Sequence, residues 1–434
     1  MGEAAAMVAL DCALGRTLLE QADPADALRS SEHLRRDFPD ADPSLIAAAL
    51  TQVGLGQRAR TRFGSLAGEY LWTSDGLEQA SRPGVARYRA DRLRALGASV
   101  VADLTCGLGA DATAFARAGL DVVGIERDPD VAELARINAR RANLGARIAV
   151  TTGDCTDPAI LGQLPTQAWF IDPARRDPTA ARRRDGSNRR IDDPHAWSPP
   201  WDWVRAQAER AEVLVVKAAP GIAHGELDGA ATEWLSQDGS LLEACAWWGD
   251  AGPQRAAVLL DASGVVRLRV EAAGVDDPAE PVTHLPHTGD LLLDPDPAII
   301  RAGVVTEFGE AVGAQLVDER LAFLTAQPGR LRAGAWVGSR VWQILSWGDY
   351  QPRQLTAIAA EHGITRIDVV GRGRTLDATR VRRELGLPGG PGAAGTLIVA
   401  GLGTARRTTV ALARAVAAPD PAFDVGTLPA LGPR

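Results

Sequence analysis

The hydrophobic pattern between Ser99 and Glu126 changes character three times. Val100-Val101-Ala102 is a short apolar run closed by Asp103, the stretch from Asp111 to Ala118 reads as a helix stopped by Gly119, and Asp121 to Ile125 is a second short run that ends on Glu126. Short apolar runs bounded by polar residues predict strands, so the unit is strand, loop, helix, strand with a right-handed parallel crossover. The alternation continues to about residue 270. Strands are expected at 100–103, 121–125, 147–151, 168–172, 212–217, 255–261 and 264–270. The last two flank Asp261-Ala262-Ser263-Gly264, a hairpin signal. A mostly parallel, doubly wound α/β domain with a final antiparallel hairpin follows.

Around this domain the pattern differs. Residues 1–65 read as helices over Ala4 to Gln21, Pro24 to Arg36, Pro43 to Val53 and Gln57 to Phe63, with Asp23-Pro24 and Asp42-Pro43 as helix starts. Such a block either packs on the α/β domain or acts as a binding module. A helix from Pro83 to Ala95 delivers the chain to the first strand. Residues 271–335 lack a strong repeat, carry scattered prolines and read as a connector with short helices near 297–302 and 308–313. From 336 to 417 the order is β-α-β-α-β-β, over Val341–Trp347, Pro352–His362, Arg366–Val370, Asp377–Leu385, Thr396–Ala400 and Thr408–Leu412. The expected division is thus 1–65 helical, 66–270 α/β, 271–335 connector, 336–417 small α+β domain and 418–434 loose tail.

The loop Thr105-Cys106-Gly107-Leu108-Gly109 carries the first candidate chemistry. Gly107 and Gly109 lack a Cβ, so a ligand can lie against the backbone where the first amides of the helix point outward. Glu126 lies 17 residues past Gly109, close to the ~20-residue offset at which a strand-end carboxylate accepts hydrogen bonds from ribose hydroxyls. A nucleoside-bearing ligand follows. Gly107 to Ala112 also fits the G-x-G-x-x-A dinucleotide fingerprint, which is weak taken alone. Asp103, Asp154 in Thr152-Gly153-Asp154, and Asp172-Pro173-Ala174-Arg175 at a later strand end point elsewhere. An acid beside the first loop suits an ammonium and a sulfonium, and would repel a pyrophosphate. S-adenosylmethionine has both cationic groups.

On these residues the chain resembles the class I S-adenosylmethionine-dependent methyltransferases, a Rossmann-like α/β fold, and more closely those with a C-terminal THUMP-like domain. The resemblance rests on Thr73 to Ala80 (TSDGLEQA), DLTCGLGAD at 103–111, FIDPARRD at 170–177, the PDPAIIRAG stretch ending at Gly303, and the C-terminal domain; it covers most of the chain. It implies that Gly107 and Gly109 line the methionine end of the cofactor, Glu126 holds the ribose, Asp154 contacts the adenine amine, and Glu78 and Gln79 belong to a segment closing over it. Asp103 and Thr105 complete the cofactor set. Thr105 stands where the usual D-x-G-x-G-x-G run has its first glycine. Relatives acting on base amines carry [Asp/Asn/Ser]-Pro-Pro-[aromatic] after the fourth strand, which makes Asp172, Pro173 and Arg175 the catalytic candidates. Here Ala174 and Arg175 replace the second proline and the aromatic platform. THUMP-like modules accompany RNA-modifying enzymes, so tRNA or rRNA is the implied partner and a base amine such as guanine N2 the implied acceptor.

Composition narrows the alternatives. At 434 residues the chain has room for two or three domains at ~150 residues each. Net charge is −8, against a protein that coats nucleic acid nonspecifically. Cys12, Cys106, Cys155 and Cys245 form no C-x-x-C pair, which fits a reducing compartment. Without a signal or a long apolar span the expected location is cytoplasmic, with no membrane partner. His284 and His287 are the one close histidine pair, in a loop without an acid at zincin spacing, so no metal is expected. Residues 175–190 hold seven arginines and two acids, either a phosphate clamp or a solvated loop. Arg87, Arg89, Arg92 and Arg94 read as a solvated face or as part of the cofactor cover. Lys217, the only lysine, either faces the pocket or snorkels from a strand end. Trp197 to Trp203 (WSPPWDW) reads as a lid or packing segment. Competing functions are a small-molecule or protein methyltransferase, a non-catalytic RNA-binding protein keeping the cofactor fold, and an NAD-dependent oxidoreductase.

Overall fold

The computed structural model describes residues 2–175, 191–249, 252–272, 283–403 and 407–418. The arginine loop beyond Arg175 and the expected tail from 419 lie outside these residues. The chain divides into two compact units, Met1–Ala231 with Ala244–Gly252 and Asp261–Val265, and Thr232–Glu243 with Pro253–Leu260 and Val266–Arg434.

The first unit opens with α1 (Glu3–Val8), α2 (Ala13–Gln21), α3 (Ala27–Asp37) and α4 (Pro43–Phe63). The helix expected over Ala4 to Gln21 is broken after Val8, and Cys12 caps the second piece by accepting the Gly15 N–H. The two helices expected within 43–63 are one, begun by Asp42 accepting the Ser44 N–H ahead of Pro43. Then come α5 (Ser74–Gln79), α6 (Pro83–Ala95), β1 (Val100–Asp103), α7 (Ala110–Arg117), β2 (Asp121–Glu126), α8 (Pro129–Arg141), β3 (Ile148–Thr152), α9 (Pro158–Leu161), β4 (Ala168–Ile171), α10 (Trp201–Ala206) and β5 (Val213–Ala218). The strand order β3-β2-β1-β4-β5 is parallel throughout. That order reverses outward from β1 and β4, so the ends of β1, β2, β4 and β5 open on one crevice, where such sheets bind ligands.

The N-terminal helices pack on this domain. Met7, Leu18, Ile46 and Phe63 share a buried core with Leu108 of the glycine loop and Leu134 and Ile137 of α8. Burying each such side chain contributes about 1.5–3 kcal/mol, so the block supports the cofactor loop as well as itself.

Beyond β5 the chain forms β6 (Ala231–Gln237) and β7 (Ser240–Trp248), strands that the sequence reading passed over. Residues 244–248 of β7 run antiparallel to β5, pairing Ala218 with Ala244 and Leu214 with Trp248. In the second unit β6 is parallel to β8 (Arg255–Leu260), which forms the expected antiparallel hairpin with β9 (Val266–Glu271).

The stretch read as a connector is largely structured. It carries β10 (Leu291–Pro295), α11 (Pro297–Ala302), α12 (Val305–Val312), β11 (Gln315–Asp318) and β12 (Leu321–Ala326). After α13 (Gly334–Gly338) come β13 (Ser339–Gly348), α14 (Pro352–Glu361), β14 (Ile364–Arg372), α15 (Ala378–Leu385), β15 (Ala393–Leu402) and β16 (Arg407–Ala415). All seven strands form one sheet in the order β11-β12-β10-β13-β16-β15-β14. The LLL run at 291–293 is buried in that sheet, and the prolines that obscured it sit at its end and at the first turn of α11. Among the described residues no helix is long and apolar enough to cross a membrane.

Candidate cofactor and acceptor site

β1 delivers Asp103 to the crevice, and the loop that follows closes on itself. Gly109 donates its N–H to the Cys106 carbonyl at 2.8 Å, and the Cys106 N–H reaches the Ile125 carbonyl at 3.0 Å. Gly107 and Gly109 have φ of +52° and +80°, backbone that a β-carbon disfavours. Thr105 is not among the positive-φ residues, so the position needs no glycine.

Glu126 ends β2 with both carboxylate oxygens in use. Oε2 accepts the Gly107 N–H at 3.1 Å and Oε1 the Asp128 N–H at 2.9 Å. Each oxygen keeps a further lone pair, which suits a vicinal diol. Burial raises this carboxyl, against the lowering effect of those two N–H groups. Asp154 lies after β3, held below the ordinary carboxylate range by the Thr156 N–H and hydroxyl, at 2.8 and 2.7 Å.

Asp103 is the most strained of these acids. Only 1% exposed, it accepts the Thr105 N–H through Oδ1, while Oδ2 is buried with no hydrogen-bond partner among the described residues. Burial first, and then the nearby Asp111 charge, push it well above the usual range. An unpartnered acid beside a glycine loop, with a diol acceptor at the next strand end, fits a cofactor that carries a cation near one end and a ribose in its middle. S-adenosylmethionine meets both demands.

The strain has a stability consequence. Because the folded state favours the protonated form of Asp103, its contribution is favourable below the unfolded value of about 3.9 and is lost as pH rises through the raised value. Asp103→Asn is therefore expected to stabilise the ligand-free protein at neutral pH by about 1–3 kcal/mol, and so to raise its thermal midpoint, because a neutral amide replaces a buried charge. The gain should vanish below about pH 4, and S-adenosylhomocysteine affinity should fall. Thermal scans across pH with and without that ligand check it.

Asp172 follows β4. Its N–H donates to the Thr105 hydroxyl at 2.8 Å, and its Oδ2 pairs with Lys217 Nζ at 2.6 Å. Lys217 comes from β5, is 6% exposed and also donates to the Gln79 carbonyl at 3.3 Å. It is buried against Asp172 and does not snorkel. Ala174 exchanges two backbone hydrogen bonds with Ser198, at 2.8 and 3.1 Å. The WSPPWDW segment, distant in sequence, is thereby brought against the quartet. Trp197 and Trp201 are buried packing residues, and the Arg175 guanidinium lies over the Trp197 ring at 5.9 Å. Among the described residues the Pro173 carbonyl accepts no hydrogen bond.

Three further residues matter that the sequence reading missed or misassigned. Asn138 of α8 accepts the Leu71 N–H at 2.8 Å and donates to the Leu108 carbonyl at 3.1 Å, tying the approach to α5 to the glycine loop. Arg89, read with its neighbours as water-facing or as cofactor cover, is fully buried and paired with Asp111 at the start of α7; both contact the Ser81 hydroxyl. Burial opposes the Asp111 charge, but Arg89 and then Lys217 outweigh it and hold that carboxyl low. Arg92 stacks on Trp247 at 4.4 Å. Of that group Arg87 and Arg94 remain exposed.

Gly76 places α5 directly on the loop, since a Cβ there would meet the Leu108 side chain at 2.2 Å. Gln79 enters through its backbone carbonyl, and Glu78 lies on the same short helix. Cys106 is buried, which pushes its thiol well up and leaves it a packing residue. On the outer side of α7 a cavity of about 780 Å³ is lined by Arg60, Arg62, Arg87, Arg94 and Arg117 against Asp91. In the second unit Asp290 joins His284 and His287, with ligating atoms within 4.8 Å of one another. The Asp290 carboxylate accepts the His287 N–H at 2.8 Å, a local turn closure that accounts for the grouping.

Comparison with known proteins shows the family and the fold. Residues 339–415 match the family model described as THUMP domain-like. Proteins of two Mycobacterium tuberculosis strains, each named an uncharacterized S-adenosylmethionine-dependent methyltransferase, are 30% identical to this chain over 395 residues, spanning 88% of it and 99% of their own length. A solved Porphyromonas gingivalis structure assigned as a methyltransferase shares the fold, with TM-score 0.66 at 18% identity over 87% of this chain and 92% of that one.

Proposed function

Since the chain belongs to the S-adenosylmethionine-dependent methyltransferases, we propose that it methylates an exocyclic base amine of structured RNA, tRNA or rRNA, with guanine N2 the first acceptor to test. The observation that carries this reading is Asp172 at the end of β4, fixed through its N–H and Oδ2 while Oδ1 accepts no hydrogen bond among the described residues.

Glu126 and Asp154 hold the nucleoside, Gly107 and Gly109 pass the methionine end, and Asp103 Oδ2 answers its ammonium. Thr105, Glu78 and Gln79 border the same space. When bound, S-adenosylmethionine supplies an electrophilic methyl group. Asp172 Oδ1 and the Pro173 carbonyl accept the two amine hydrogens, which leaves the nitrogen lone pair free to face that methyl. Such positioning is worth up to about 7–11 kcal/mol of barrier for oriented reactants, and the proton is left to water. Arg175, whose guanidinium lies 5.9 Å from the centre of the Trp197 ring, offers its plane to a base. RNA is favoured over a small molecule by the arginine-lined cavity, a local basic patch on a chain of net charge −8, and by the THUMP-like module. We further propose the division at 65, 270, 335 and 417 as the domain organisation, with the strands between 291 and 326 built into the C-terminal sheet.

Mass spectrometry of nucleosides from tRNA and rRNA of a deletion strain and its parent tests the reading. One methylated guanosine or adenosine is expected to disappear and to return with the wild-type gene. Unchanged RNA beside a missing methylated metabolite would transfer the enzyme to small-molecule chemistry.

A further inference from the structure

We propose that Thr105 and Lys217 are positioning residues for methyl transfer, gripping Asp172 from opposite sides and coupling its aim to the cofactor loop. The proposal rests on the assignment of Asp172 as the group that meets the acceptor.

The contacts form a closed ring. Thr105, on the cofactor loop, takes the Asp172 N–H at 2.8 Å. Asp172 Oδ2 takes the Lys217 ammonium at 2.6 Å. The same ammonium reaches the Gln79 carbonyl at the end of α5, 3.3 Å away. α5 in turn presses Gly76 against Leu108, three residues past Thr105 on the loop where the ring began. Every link is a hydrogen bond, an ion pair or a contact too close for a β-carbon.

This ring gives the two unusual residues of the site a purpose. A glycine at 105 would satisfy the backbone, which has no positive φ there, but would supply no hydroxyl to the Asp172 N–H. Lys217 is the only lysine in a chain whose other basic residues are arginine or histidine. An ammonium is a compact charge on a flexible stem with three donors, whereas a planar guanidinium would bind the carboxylate through both oxygens. Contact through Oδ2 alone leaves Oδ1 for the substrate. With Lys217 on one oxygen and Thr105 on the amide, rotation of the Asp172 side chain is restricted before substrate arrives. A misplacement of about 1 Å at such a centre costs about a hundredfold in rate.

Two measurements on the full-length protein decide this. The first needs no substrate. With lysine labelled by ¹⁵N, the side-chain ammonium signal belongs to Lys217 alone. It is expected to be protected from exchange in the wild type and in Thr105→Ser, and to lose that protection in Asp172→Asn. An ammonium that exchanges freely in the wild type, or one that ignores Asp172→Asn, overturns the pairing.

The second measurement is a double-mutant cycle on methyl transfer to bulk RNA from the deletion strain. Lys217→Met and Thr105→Val are each expected to lower kcat by about a hundredfold, with S-adenosylhomocysteine affinity and KM for RNA changed less than about threefold, and Thr105→Ser to restore the rate. In the Asp172→Asn background, adding Lys217→Met is expected to cost less than about twofold, because residues acting through one group are not additive. Fully additive losses, or losses that track a fall in cofactor affinity and thermal midpoint, would make both residues structural and overturn the proposal. Failure of the wild type to methylate any RNA would refute the RNA reading alone, and the lysine signal still decides the pairing.

Discussion

Asp172→Asn is expected to lower methyl transfer by about 10²–10³-fold, the usual loss when one preorganised polar group at a reacting centre is removed. S-adenosylhomocysteine binding should stay within about threefold of wild type, because no cofactor-holding contact runs through the lost charge. Asparagine is the informative choice. It keeps the volume and the Thr105 hydrogen bond to the backbone, and offers Lys217 a neutral oxygen too weak to hold the ammonium against exchange. Asp172→Ala would strand a lysine whose side chain is only 7% exposed, and breaking such a pair costs about 3 kcal/mol, the low end of the range for buried pairs because Asp172 is itself partly open. Calorimetry with S-adenosylhomocysteine beside single-turnover transfer from labelled S-adenosylmethionine separates the effects. Loss of binding in proportion to rate in Asp172→Asn would make the residue structural.

Glu126→Gln is expected to weaken S-adenosylhomocysteine by roughly 1–3 kcal/mol, the worth of hydrogen bonds to a charged acceptor. The wild-type interaction should also depend on pH in a defined direction. Burial raises the Glu126 carboxyl in the free protein, while ribose hydroxyls donating to it favour the ionised form. Binding therefore releases protons, and affinity falls as pH drops through the raised free-state value. Asp103, raised further by burial, adds to the same release when an ammonium arrives beside it. Calorimetry in two buffers of different ionisation enthalpy measures the protons directly. Glu126→Gln should release fewer; an equal release would locate the titrating group elsewhere.

How much of this was legible beforehand depended on whether the signal was local. Strand ends at Asp103, Glu126 and Asp172, the glycine loop, and the helix starts at Asp42-Pro43 and Asp377 are written in neighbouring residues, because a cap, a turn or an apolar run is decided within a few positions. β6 and β7 were missed for the converse reason. β6 buries Thr232, Glu233, Ser236 and Gln237, so it lacks the apolar signature that a buried strand ordinarily carries, while β7 is apolar apart from Ser240 and Glu243 and is marked as a strand only by its pairing with the distant β5. β10 was hidden by prolines that mark its end and the following helix, not a loop.

The sequence by itself determined the strand and helix order from β1 to β5 and the spacing of the strand-end acids, because each of those acids lies next to its own strand. Only the tertiary structure decided what those residues do to one another. Lys217 meets Asp172 across 45 residues of chain, Asn138 meets Leu71 across 67, and Arg89 turns inward to Asp111 instead of facing water. Side-chain direction at a strand end, and the burial that makes one lysine or one arginine a partner and not a solvated charge, are set by which strands become neighbours. That adjacency is a property of the folded sheet, and no window of sequence contains it.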